Sequence, residues 1–290
     1  MYYKYIKERV QCDKYFLLCA SAYAASDYNS LGLFKKKAFS WGYFTEVKEY
    51  SKIDKLMEEK EDNSILWVAR FLHLKHPEAV IEIAKRLKEA NYLFNIKMIG
   101  NGKEYNNIKR LISENNLNDK IVLLGVMSPQ NVRKAMEKSK IFLFTSDKNE
   151  GWGAVTNEAM NSACAVIASH EIGSVPAIIK NGENGLIYED GNIDDLYSKI
   201  CLLLDNKNLA NKLGKEAYKT MVELWNPKIA AKRIVALSSK ILNNEQYLKY
   251  ESGPCSIDKA LDDNWYKKSG EMNANKRKVE RNIMENILLL

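Results

Sequence analysis

Residues 141–169 read IFLFTSDKNEGWGAVTNEAMNSACAVIAS. The run 141–144 is apolar and suits a strand, 147–153 is a polar loop with two glycines around a tryptophan, and 165–168 is a second apolar run. A helix is expected to open near Ala154. Strand, loop, helix and strand make a βαβ unit, and ligands bind such units outside the carboxyl ends of the strands. Two acids bracket the turn into the helix, Glu150 just before it and Glu158 on its second turn.

Gly151 and Gly153 let the backbone approach a ligand closely or take positive φ. The amides of Val155 and Thr156 are expected to lack partners and to face forward at the positive end of the helix dipole, next to Ala154, where a phosphate is favoured. Ionised carboxylates only accept hydrogen bonds, so beside a phosphate they suit hydroxyls. A ligand with both groups follows, such as a sugar nucleotide. With seven residues between Glu150 and Glu158, the segment EGWGAVTNEAM resembles the E-x7-E motif of the retaining GT-B glycosyltransferases related to glycosyltransferase family 4.

Outward from that unit, strands and helices alternate. Apolar runs at 64–70, 94–100, 121–125 and 185–188 are separated by helical spacing at 78–90, 103–115 and, after Ser128 as cap and Pro129 as first residue, in the 130s. Ser174 is placed to cap SVPAIIK, and helices are expected over about 193–204, 208–222 and 227–242. The expected fold is α/β: a doubly wound parallel sheet, Rossmann-like, with flanking C-terminal helices. The resemblance implies the C-terminal half of a GT-B fold. Residues 1–60 are expected to be a remnant of an acceptor-binding domain and linker, with a buried strand at 15–21 followed by a helix, 61–225 the nucleotide-sugar domain, and 226–290 C-terminal helices and tail. One strand and one helix make no core by themselves, so most of a first domain is expected to be missing. The tail 275–290, NKRKVERNIMENILLL, could form an amphipathic helix that docks on the protein or touches a membrane.

Arg70 and Lys75 flank FLHL at the end of the 64–70 run. A guanidinium there can fork onto phosphate oxygens and an ammonium adds a compact charge. They match the Arg and Lys of the family's G-R-x(4)-K segment, with Ala69 in place of the usual glycine. The resemblance implies catalytic roles for Glu150, Arg70 and Lys75: Glu150 accepts from donor-sugar hydroxyls, and the two cations stabilise the leaving diphosphate. It implies donor binding by Glu158, on the ribose, and by Gly151, Trp152, Gly153, Ala154, Val155 and Thr156. Gly100 belongs to a Gly-x-Gly like the family's, and Val126 stands where relatives hold the base through main-chain groups. Trp152 either wedges its loop onto the sheet or stacks on the ligand. The segment 170–176, HEIGSVP, departs from the family's double glycine and Pro-Glu.

The net charge of +7 is spread along 290 residues and is compatible with an anionic ligand. Five cysteines with no C-x-x-C pair suggest neither a disulfide framework nor zinc. His73, His76 and His170 lack acidic partners at ligand spacing, and no D-x-D ends a strand, so no metal and no cofactor beyond the donor is expected. His170 could point into the cleft or cap nearby backbone. The cysteine usage suits a reducing cytoplasm, with a place peripheral to the inner face of the membrane as an option; no 20-residue apolar span and no signal peptide are evident. The expected partners are a nucleotide sugar and a glycan or lipid-linked acceptor, with no nucleic acid. The expected function is retaining glycosyl transfer in polysaccharide or glycoconjugate synthesis. The alternatives are a donor-binding half that needs a separate acceptor-domain chain, and an epimerase or phosphorylase on the same fold.

Overall fold

The computed structural model describes Glu8, Val10, residues 15–246 and 249–258, Leu261 and residues 264–267. The tail 275–290, read above as a helix for docking or membrane contact, lies outside the described residues.

Six parallel strands form the main sheet: β3 (Glu61–Val68), β4 (Asn95–Ile99), β5 (Ile121–Gly125), β6 (Ser139–Phe144), β7 (Ala165–Ser169) and β8 (Leu186–Tyr188), in the order β5-β4-β3-β6-β7-β8. The order reverses between β3 and β6. Strands β6 and β7 are buried along their whole length, which is why they read as unbroken apolar runs instead of alternating ones.

Successive side chains of β3 and β6 point to opposite faces. Ile65, Trp67, Ile141 and Leu143 enter one core with α3 (Pro77–Glu89), α4 (Tyr105–Glu114) and α8 (Ile193–Asp205). Leu66, Phe142 and Phe144 enter the other with α5 (Pro129–Lys138), α6 (Val155–Asn161) and α9 (Lys207–Glu223). In α3 the buried Ala79, Val80, Ile83, Ala84 and Leu87 form one stripe at helical spacing. Ser128 caps α5 by accepting from the Asn131 amide at 3.3 Å. The turn α7 (Val175–Ile178) differs from expectation: Ser174 precedes it, but its hydroxyl is buried with no hydrogen-bond partner among the described residues.

The N-terminal segment holds more structure than one strand and one helix. Strand β1 (Leu17–Cys19) pairs in parallel with β2 (Ala38–Ser40), with α1 (Ala24–Ser30) between them and α2 (Ile53–Glu58) following. Residues 35–44, KKKAFSWGYF, contain β2, beyond the one strand and one helix expected for this segment. Leu18, expected in a buried strand, is 37 % exposed. Helix α10 (Pro227–Leu242) returns to this segment, and Leu237 packs with Phe39 and Cys255. That contact supplies the apolar cover that so short a strand pair lacks.

The charged stretch before β3 contains a pin that the sequence does not advertise. Lys60 is 5 % exposed, and its ammonium donates to the carbonyls of Met136 (3.0 Å), Glu137 (3.3 Å), Ser139 (2.8 Å) and Ser162 (2.8 Å). These carbonyls close the C-terminal ends of α5 and α6, where a cation complements the helix dipole. Burial holds the Lys60 pKa below its ordinary value. Lys60→Met is expected to leave the carbonyls unpaired and to cost on the order of 3 kcal/mol, read as a lowered urea midpoint with unchanged slope.

Candidate active site

The chain leaves β3 at Ala69 and runs through Arg70 to Lys75; it leaves β6 at Thr145 and runs to Gly153. Because the strand order reverses between β3 and β6, these loops diverge above a crevice, the position where open α/β sheets bind ligands. They are also stitched together. Thr145 Oγ1 donates to the Lys75 carbonyl at 2.6 Å and accepts from Trp67 Nε1 at 2.9 Å, while the Asp147 amide donates to the Leu74 carbonyl at 3.0 Å. The His76 ring lies between Glu78, at 2.8 Å from Nδ1, and Asp147, at 3.3 Å from Nε2.

A third loop closes in through Gly100. Its φ is +135°, and a Cβ there would stand 1.9 Å from the Ala69 carbonyl oxygen, so any side chain would displace the loop that carries Arg70. The Phe71 amide donates to the Asn101 carbonyl at 2.9 Å and fastens the two. Gly153 plays the matching part opposite: at φ +79° it lies against the Phe144 ring, and a Cβ would be 2.4 Å from that ring.

Between these loops is a cavity of about 560 Å³ whose lining includes Arg70, Lys75, Gly100, Val126, Glu150, Gly153, Ala154 and Val155. Lys75 forms an ion pair with Glu150, and its ammonium lies 5.4 Å from the centre of the Phe144 ring. Burial and the Arg70 charge push Lys75 down to about 8, with Asp147 opposing. Ser146 Oγ donates to Glu150 at 3.3 Å. The Ala154 and Val155 amides make no hydrogen bond among the described residues. The hollow therefore offers two cations, open amides and one carboxylate at a single place, a chemistry suited to an anion that also carries hydroxyls.

Four residues of the same motif do not line this cavity. Trp152 is 2 % exposed; its indole donates to Asn157 Oδ1 at 3.0 Å and its ring packs 5.7 Å from that of Trp225. It wedges the loop inward and does not offer a face for stacking on a ligand. Thr156 is buried, and its amide, expected to be free, donates to the Gly153 carbonyl at 2.9 Å because the first helical turn closes there. Gly151 is exposed outside the lining. Glu158 lines an adjoining hollow of about 310 Å³ with Arg133 and Gln130. Burial raises its carboxyl pKa, with Arg133 opposing.

His170 takes the backbone-capping alternative: Nδ1 accepts from the Asp190 amide at 3.0 Å, and the ring lies 4.0 Å from that of Tyr266. The divergent 170–176 segment braces the loop from behind. The Gly173 amide donates to the Glu150 carbonyl at 3.3 Å and the Ser174 amide to the Trp152 carbonyl at 3.2 Å. Among the described residues no group of three or more His, Cys, Asp or Glu is gathered for a metal, and no helix is long and apolar enough to cross a membrane. Thr145, Asp147 and His76 organise the loops without having been expected to. The only local signal was Asp147-x-Asn149, an Asx turn in which Asp147 accepts from the Asn149 amide at 2.8 Å.

The family model described as glycosyl transferases group 1 matches residues 49–220. An uncharacterized glycosyltransferase of Methanocaldococcus jannaschii is 35% identical over 168 residues, 57% of this chain and 46% of that protein. The N-acetyl-alpha-D-glucosaminyl L-malate synthase of Bacillus anthracis is 26% identical over 188 residues, 62% of this chain and 48% of that enzyme. The chain thus spans about half the length of these curated relatives. Among solved structures, TarM superposes with a TM-score of 0.66 at 23% identity, covering 83% of this chain and 45% of TarM. Anabaena HepE in complex with UDP gives 0.64 at 15% identity, covering 77% and 64%. The C-terminal domain of a group 1 family protein from Francisella tularensis gives 0.52 at 22% identity, covering 61% of this chain and 94% of that domain. With more than half of its residues matched and the sheet of GT-B glycosyltransferases, the chain belongs to the glycosyl transferases group 1 family.

Proposed function

We propose that this chain binds the donor of a retaining glycosyl transfer, a nucleoside diphosphate sugar, in the crevice between β3 and β6. The observation carrying this is the convergence of Arg70, Lys75, Glu150 and the amides of Ala154 and Val155 on one 560 Å³ cavity at the strand-order reversal. As the bond from sugar to phosphate breaks, negative charge grows on the diphosphate and positive charge on the sugar ring. The half-buried Lys75, with the exposed Arg70 beside it, stabilises that separation more than water does. Arg70 forks onto the leaving oxygens, Lys75 turns from Glu150 to the phosphate, and Glu150 is released to accept from hydroxyls of the sugar. Glu158, in the adjoining hollow with Arg133, takes the ribose side. A glycan or lipid-linked acceptor completes the reaction, in the synthesis of a polysaccharide or glycoconjugate.

A second reading is donor binding without turnover by the residues present, which span 46% and 48% of two relatives' lengths. Transfer depends on holding two reactants together. Calorimetry with UDP, GDP and ADP, followed by assays for donor hydrolysis and transfer, separates the two readings: both require nucleotide binding, and only the first requires turnover. If none of the three nucleotides binds, both readings are lost.

Lys75→Ala is expected to weaken binding of the preferred nucleoside diphosphate roughly 10- to 100-fold. In the unsubstituted chain the Lys75 contribution to that affinity is present below pH about 8, where Lys75 is charged, and is lost as pH rises through that value. Glu150→Gln is expected to retain nucleotide binding, because the cations remain, while turnover falls by about a hundredfold or more.

A further inference from the structure

Resting on the donor-binding reading, we infer that His76 is a positioning residue whose doubly protonated ring clamps the loop carrying Lys75 against the loop carrying Glu150. The argument begins with valence. Nδ1 lies 2.8 Å from Glu78 Oε1 and Nε2 lies 3.3 Å from Asp147 Oδ2. An ionised carboxylate has no proton to give, and a neutral imidazole has one N–H and one lone pair. Two carboxylates, one on each ring nitrogen, are both satisfied only by the imidazolium. Neutral His76 would turn a lone pair towards one of them.

The surroundings favour the charged ring. Asp147, in the loop after β6, has its other carboxylate oxygen taken by the Asn149 amide at 2.8 Å and side chain at 2.9 Å, leaving Oδ2 for His76. From its own helix Glu78 bonds it and Glu82 lines the same hollow; from the turn after β8, Asp190 lines it too. His73 lies 5.5 Å away ring to ring, and Lys75, paired with Glu150, is the preceding residue. Burial pushes His76 down, and Glu78, Asp147 and Asp190 together outweigh it, so its pKa is raised. The backbone adds a second observation. His76 sits at φ 45° and ψ 52°, a left-handed conformation uncommon for a non-glycine residue, where the short turn His73–Lys75 ends and α3 begins.

The clamp acts one residue from Lys75. It joins the Thr145–Lys75 and Asp147–Leu74 hydrogen bonds as a charge-dependent link between the loops, beside the Lys75–Glu150 ion pair. A group whose folded-state pKa is raised stabilises its state fully below the unfolded value, about 6.5 for histidine, and ceases to do so as pH rises through the folded value. The loops are therefore tight at mildly acidic pH and loosen above the His76 titration.

The test is made on the full chain with His76→Gly, which keeps the left-handed turn and removes the ring, and with Glu78→Gln, which removes one exposed carboxylate. Three readouts against pH are needed: the His76 ring signal by NMR, identified by its loss in the glycine variant; amide-exchange protection at Asp147; and UDP affinity by calorimetry. The expected results are a ring titrating above the ordinary histidine value, and lower in Glu78→Gln. Asp147 protection should fall through the same pH in the unsubstituted chain and be low and flat in His76→Gly. UDP affinity should fall in two steps, of which His76→Gly keeps only the one near pH 8 and binds several-fold more weakly at acidic pH. A ring titrating at or below the ordinary value, or a His76→Gly chain matching the parent in Asp147 protection at every pH, overturns the clamp. Absence of UDP binding by the parent at any pH overturns the donor reading instead, and the NMR and exchange results still decide the clamp.

Discussion

Strands β3 and β6 lie side by side and in parallel, with Ile65 opposite Ile141 and Trp67 opposite Leu143, and the charged groups of the candidate site, Arg70, Lys75 and Glu150, hang from that pairing. Parallel neighbours deliver their following loops to the same edge of the sheet. Since the order reverses here, the helices that follow pack on opposite faces and the loops part above a crevice. Lys60 reinforces the arrangement from the far end by tying the ends of α5 and α6 to the start of β3. A shift of one strand against the other would separate Arg70 and Lys75 from Glu150 altogether.

On the proposed donor reading, charge in the site is arranged for exchange of partners. Half-buried, Lys75 bears the cost of desolvation and the repulsion of Arg70, and its pair with Glu150 supplies compensation. An anion entering the cavity offers the same compensation from a new direction, and frees a carboxylate that can then accept from hydroxyls. Beneath this, the hydrogen bonds from Thr145 to Lys75 and from Asp147 to Leu74 tie the two loop backbones together. Glu158 takes no part in the pair. It faces Arg133 in the hollow next door, so a ligand reaching both acids must extend along the start of α6.

Elements with a local physical cause were legible from the residues. Strand β5 and helix α10 occur with the expected limits, and Ser128 caps α5 as its place before Pro129 implied. Where the cause lies far along the chain, the reading failed. Strand β2 has three residues and exists because β1 pairs with it and residues 255–258 cover its other edge. Ser174 stands at a capping position but has no capping bond, because α7 is a four-residue turn braced against the Trp152 loop. Lys60 sits in EEKEDN, a string any reader assigns to solvent. Its burial depends on four carbonyls, the farthest 102 residues away.

By itself the sequence determined the βαβ alternation, the strand runs that must be buried on both faces, and which cations, carboxylates and glycines stand at the strand ends. Those properties are set by periodicity, by backbone freedom at glycine and by side-chain chemistry, all of which act over a few residues. The tertiary structure alone decided which of those residues share a cavity. It brought Arg70 and Lys75 to Glu150 across more than seventy residues, turned Trp152 inward and gave Glu158 a hollow of its own. The reason is that strand order and helix packing set directions between distant segments, and no local pattern carries a direction.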